Sequence, residues 1–121
     1  MFDENPIETY TELLKAINPL QLAYVHSTRS PDSSIDVFKL VRTHYDGISI
    51  VNGDFDFASG EEAIKSDLAD LVAYATHHIA NPDLVARFRH NLPLSQPDTR
   101  KFYTPGPEGY IDYPKAAVAE A

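Results

Sequence analysis

Few residues of this chain stand in patterns that could do chemistry. The best pattern lies between Asp70 and Leu84, inside a longer run from Ala69 to Pro114. A short apolar strand there passes through a polar turn into a helix marked by Asn81-Pro82-Asp83. An α/β protein uses such a strand–turn–helix to hold an anionic cofactor, because unpaired backbone N–H groups converge at the helix start. Gly53 follows a second apolar strand, where a glycine serves a tight turn with or without a ligand. His77-His78 invites a metal reading. Adjacent side chains in a turn diverge, however, and His26, His44 and His90 are scattered, so no metal site is expected. Tyr103, Tyr110 and Tyr113 read first as packing residues. Arg87, Arg89, Arg100 and Lys101 form the only basic cluster and read as a solvated helix face. No GxSxG elbow supports a serine nucleophile.

Composition removes several classes. The 121 residues contain no Cys, which excludes disulfides, thiolate metal sites and cysteine nucleophiles. A net charge of −8 argues against a nucleic-acid or anionic-membrane surface, both of which need clustered Lys and Arg. The hydrophobic content of 43% and charged content of 23% fit an ordinary globular domain. The N-terminus MFDENPIETY lacks the basic and apolar regions of a signal peptide. No apolar run approaches the roughly 20 residues that span a bilayer. A cytoplasmic location is expected.

The elements that must position these residues alternate between helix and strand. Asn5 caps a first helix with Pro6 at its first position and Glu8 three residues after the cap. Ile7, Tyr10, Leu14 and Ile17 share one face of it. Leu20 to His26 reads as a strand. The loop from Ser30 to Ser34 ends in a cap for a second helix with Val37, Phe38, Leu40, Val41 and Tyr45 on its apolar side. Ile48 to Val51 is a second strand. Ser59 with Glu62 reads as a capping box for a third helix. Asp70 to Ala75 is a third strand. Asn81 caps a fourth helix that carries Leu84, Val85 and Phe88 inward. The strands recur about every 25 residues with a helix between them, which implies parallel neighbours. Each strand is apolar on both faces, as expected where both faces are covered.

These segments, taken in order, resemble Old Yellow Enzyme-like flavin-dependent ene-reductases, the tail being most like fungal members. The resemblance rests on Asn5-Pro6 with Thr9-Tyr10, Leu22-Ala23-Tyr24-Val25-His26 with Arg29, Gly53 and Asp70-Leu71-Val72-Ala73-Tyr74. Its most specific parts are Ile79-Ala80-Asn81-Pro82-Asp83-Leu84, Phe102-Tyr103 and Gly109-Tyr110-Ile111-Asp112-Tyr113-Pro114. The resemblance implies a partial (β/α)8 barrel: the last three parallel strands, four helices and a C-terminal extension. Residues 1–91 would be the barrel part and residues 92–121 the extension. Met1 would then be a start codon inside an ancestral reading frame, and His26 a hydrogen-bonded barrel-end histidine.

The resemblance also implies a cofactor, FMN, with NAD(P)H as the reductant of the family. In the family a Gly pair after the seventh strand and a Gly-Arg pair after the eighth cradle the flavin phosphate. The first pair matches Gly53 and Asp54 here, and the second matches Ala75 and Thr76. A carboxylate near phosphate is unfavourable. Thr76 offers one neutral hydrogen bond where Arg offers a bidentate, charge-assisted one. Losing such a contact costs roughly 1.5–3 kcal/mol. Tyr103 matches a tail Tyr that lines the substrate cavity. The family's carbonyl-binding pair and proton-donating Tyr have no counterpart in the matched segments. Two readings follow: a segment of an FMN-dependent alkene reductase, inactive as an isolated chain, or a non-catalytic half-barrel serving as an interaction module. Three open strands are expected to leave Tyr24, Ile50 and Val72 facing water or a partner, so self-association or a complementing barrel half is expected.

Overall fold

The structure, a computed structural model, describes residues 3–116. Met1 and the last residues of the tail lie outside the described residues. The chain divides into two compact units, residues 1–73 and 74–121.

In the first unit, α1 (Pro6–Ile17) starts as the sequence requires. The Asn5 side chain accepts from the Glu8 N–H and donates to Glu8 Oε2 at 2.7 Å. A 3₁₀ turn, Asn18–Leu20, follows, and Gln21 reverses the chain with φ 52°. That reversal delays β1 to Val25–Thr28, so Leu20 is in the turn and not in a strand. The helix α2 (Val37–His44) is capped by Asp36, which accepts from the Lys39 N–H at 3.1 Å. β2 is Ser49–Asn52. The helix α3 (Phe57–Lys65) starts earlier than the Ser59–Glu62 pattern indicates. Asp56 is the cap, and Ser59 completes its box by accepting from the Asp56 N–H at 3.0 Å. β3 is Leu71–Ala73.

The strands form one parallel sheet in the order β1-β2-β3. Val25 pairs with Ser49 and Ser27 with Val51; Val51 in turn pairs with Val72. Side chains alternate between the faces of a strand, so Val25, Ser27, Ser49, Val51 and Val72 share one face. Helices cover it. Leu14, Val41 and Tyr45 form the buried centre, with Ile17, Val25, Val37 and Leu40 packed against them. Each such side chain, fully buried, stabilises by about 1.5–3 kcal/mol. The other face carries Tyr24, His26, Ile48, Ile50 and Leu71, and it is largely bare: Tyr24 is 54% and Leu71 53% exposed. The sheet is therefore covered on one side only. Val72 belongs to the helix-covered side with Val51, contrary to the expectation that it faces outward.

The second unit opens with α4 (Ala75–Ala80), a helix over residues that read from sequence as strand end and turn. Five α-helices therefore stand among the described residues where the sequence indicates four. The helix α5 (Leu84–Arg89) follows, with Asp83 and not Asn81 at its N-cap position. Leu84 is buried, but Val85 is 61% exposed and does not point inward. Phe88 stacks edge-on to Tyr74 with ring centroids 5.1 Å apart.

Candidate functional site

The first pair of candidate phosphate-binding residues sits where β2 ends. Gly53 has φ 121° and Asp54 has φ 54°, two successive residues with left-handed backbone. A Cβ on Gly53 would lie 2.6 Å from the Cβ of Arg29. This close approach, together with the positive φ, requires glycine. Arg29 holds the turn. Its N–H donates to Asn52 O at 2.9 Å and its Nε to Gly53 O at 3.2 Å. Its guanidinium lies 5.1 Å from the Phe38 ring centroid and 5.3 Å from that of Phe55. Such cation–π contacts contribute about 0.5–2 kcal/mol. Arg29 thus clamps the strand end against two rings, and its structural role accounts for Gly53 without a ligand. The Asp54 carboxylate is exposed. A second fixed charge lies further back, at the start of β3. Asp70 Oδ2 accepts from Ser49 N–H at 2.8 Å and from Arg42 at 3.0 Å. The Ser49 N–H, with Arg42 contributing, lowers the Asp70 carboxyl below its ordinary value.

The second pair, Ala75 and Thr76, forms the first turn of α4, and both residues are exposed. No side chain caps this helix. Neither residue carries charge. A phosphate at the start of α4 would meet one neutral hydroxyl and an alanine methyl. The residues do not fit a tight phosphate grip.

The rest of the second unit is a buttress for the tail. Asn81 is fully buried. Its Nδ2 donates to His77 O at 2.9 Å and Ser95 O at 3.1 Å, and its Oδ1 accepts from Ser95 N–H at 2.8 Å. Arg87 is only 5% exposed, so this member of the basic cluster is not a solvated residue. It donates to Asp83 at 2.8 Å, Pro93 O at 2.6 Å and Pro114 O at 3.0 Å. Asp83 also accepts from the Ala116 N–H at 2.8 Å. The Arg87 hydrogen bond, then the Ala116 N–H, hold the Asp83 carboxyl below its ordinary value. The remaining cluster members act locally: Arg100 pairs with Asp98, and Lys101 with Glu108. Tyr113 accepts from the Asp98 N–H at 2.8 Å, a packing and bonding role as its sequence suggests. The substrate-cavity candidate Tyr103 is 98% exposed with φ 60°, its N–H donating to the Tyr110 hydroxyl. Among the described residues, no cluster of three or more His, Asp or Glu could hold a metal. No described helix is long and apolar enough to cross a membrane.

Sequence reasoning missed the Asp83–Arg87 pair as the organiser of the tail. Its signal was the i,i+4 spacing of opposite charges. It also missed the clamp role of Arg29, whose ring partners lie 9 and 26 residues downstream.

No protein-family model matches the chain. A probable flavin mononucleotide-dependent alkene reductase of Leishmania infantum is 35% identical over 116 residues, covering 93% of this chain and 31% of that protein. The 12-oxophytodienoate reductase 7 of Oryza sativa subsp. japonica is 34% identical over 134 residues, covering 93% of this chain and 34% of that protein. Among solved structures, the old yellow enzyme from Trypanosoma cruzi superposes with a TM-score of 0.89 at 40% identity, over 95% of this chain and 31% of that one. The parallel sheet with helices on one face is therefore part of a (β/α) barrel. The chain belongs to the Old Yellow Enzyme family as its C-terminal part, spanning about a third of the length of these relatives.

Proposed function

We propose that this chain is the flavin-phosphate end of an FMN- and NAD(P)H-dependent alkene reductase whose hold on the phosphate has been lost, and that it does not turn over substrate by itself. The observation that carries this reading is the neutral first turn of α4, Ala75-Thr76, combined with the exposed Asp54 carboxylate after β2. In a complete family barrel the bound flavin supplies the hydride transfer. This chain's own residues would hold the turn beneath the phosphate through Gly53 and Arg29, and offer Tyr103 to the substrate cavity from the tail. The carbonyl-binding pair and the proton donor that such a reaction requires are outside the matched segments.

The bare sheet face also favours a second reading, a non-catalytic half-barrel that serves as an interaction module. FMN calorimetry on the wild type and on the Asp54→Gly/Ala75→Gly/Thr76→Arg variant tests the first reading. The wild type is expected to show no micromolar binding. The variant should gain roughly 10- to 100-fold, the worth of one charge-assisted contact. Micromolar FMN affinity in the wild type would overturn the proposed loss and argue for a working cofactor site.

A further inference from the structure

We propose that Asn52-Gly53, at the end of β2, modifies itself: in the folded chain the Asn52 side chain cyclises onto the Gly53 nitrogen and opens to aspartate and isoaspartate, at a rate that Arg29 restrains. The inference is independent of whether FMN binds.

The reaction needs an asparagine amide, a following backbone N–H free to attack, and little bulk at the second residue. The five asparagines of the chain are unequal in this. Asn5, Asn18 and Asn81 each precede a proline, which has no N–H. Asn91 precedes Leu92, whose N–H donates to Arg87 O at 2.9 Å. Asn52 precedes glycine, which has no side chain. Asp46-Gly47 has the same spacing, but a carboxylate is a poorer electrophile than an amide, and Asp46 Oδ2 accepts from Asn18 Nδ2 at 2.8 Å.

Both reacting groups are available. Gly53 lies just past the strand, and among the described residues its N–H meets no acceptor. The Asn52 side-chain amide likewise has no partner among them. Side chains alternate along β2, so Asn52 falls with Ile50 on the bare face of the sheet, partly exposed, where water reaches it.

The backbone supplies the restraint. An extended residue turns the next peptide plane away from its own side chain, so attack requires that plane to rotate about the Asn52 Cα–C bond. Two hydrogen bonds oppose the rotation, and both come from Arg29. Its N–H donates to Asn52 O at 2.9 Å and its Nε to Gly53 O at 3.2 Å.

The chemistry balances without a cofactor. The Gly53 nitrogen bonds to Asn52 Cγ, the Cγ–Nδ2 bond breaks, and Nδ2 leaves as ammonia with the Gly53 amide proton. Water then opens the cyclic imide. Cleavage at Cγ gives aspartate; cleavage at the main-chain carbonyl gives isoaspartate, with the chain rerouted through Cβ and Cγ. Either product adds one negative charge to the −8 of the chain, across Gly53 from Asp54.

The test incubates the whole folded chain at neutral and mildly alkaline pH beside a free peptide of residues 48–55. Peptide mapping by mass spectrometry should find OH in place of NH2 at residue 52, and an isoaspartyl methyltransferase should label it. The rate should rise in proportion to hydroxide. Asn52→Gln, whose ring is larger and slower to close, should stay unmodified. Arg29→Lys keeps the cation but puts a methylene where Nε stands, so it should accelerate the reaction roughly 2- to 10-fold, the worth of one hydrogen bond. Leu84→Ala weakens the second unit and should leave the rate unchanged. An unmodified folded chain, under conditions that convert the peptide, would overturn the proposal. So would acceleration by Leu84→Ala equal to that by Arg29→Lys, which would assign the reaction to unfolded molecules. An Arg29→Lys rate equal to the wild type would refute the restraint.

Discussion

Replacing Asn81 with Ala should release the tail from the helices of the second unit. The side chain makes three hydrogen bonds, two to Ser95 and one to His77 O, in a fully buried position. Each is worth about 1 kcal/mol net, so the loss is about 3 kcal/mol. Opening of the tail should become favourable by the same amount, which is about 100-fold in an exchange rate. Native-state hydrogen exchange reads this residue by residue. The informative amides are those with no bond to Asn81: Leu92, which donates to Arg87 O, Asp98, which donates to Tyr113, and Ala116, which donates to Asp83. All three should exchange about 100-fold faster if the tail opens as one unit. If only Ser95 accelerates while Asp98 and Ala116 keep their rates, Asn81 is a local contact and does not hold the tail as one unit.

Gly53→Ala should destabilise the first unit by about 1–3 kcal/mol, because a methyl group meets Arg29 in a backbone region that L residues avoid; the urea midpoint measures it. Leu84→Ala should cost about 2–5 kcal/mol in the same assay, since Leu84 is 1% exposed. Asp70 governs part of the acid response. Its folded value is lowered, so its contribution is present above the unfolded value of about 3.9 and disappears as pH falls through the folded value. With the carboxyl 42% exposed, Asp70→Asn should cost no more than about 1 kcal/mol at pH 7 and nothing below both values. A wild-type and variant pair whose urea midpoints run parallel from pH 7 to pH 2 would contradict this.

The fold was legible where local rules and long-range packing agree. Asn5-Pro6-Glu8 announced α1 because every partner of that cap lies within three residues. The parallel order followed from the strand–helix rhythm. The cap of α3 was misread because two patterns overlap within seven residues: Ser59 with Glu62, and Asp56 with Ser59. The structure takes the earlier one, gaining a turn that starts at Phe57. The helix over Ala75–Ala80 has no side-chain cap, so nothing in its sequence marks its start. Arg87 looked solvated because two of its acceptors are backbone carbonyls six and 27 residues away, which no helical pattern reports. Of the candidate site, Gly53 was visible as a turn glycine. The reason it must be glycine, the approach of Arg29, needed the parallel register of β1 on β2.

The uncovered side of the sheet has a calorimetric signature. A globular chain of 121 residues ordinarily unfolds with a heat-capacity increase of about 1.5–1.8 kcal/mol/K, because melting hydrates apolar surface that was dry. Here Tyr24, Ile48, Leu71 and the stripe on α1 are already hydrated in the native state. On melting they add only about the half of their surface that is still dry. The increase should fall below that range, and the dependence of stability on temperature should be correspondingly flat. A partner that covers that surface would restore the missing curvature, so heat capacity would register assembly even where secondary structure does not change.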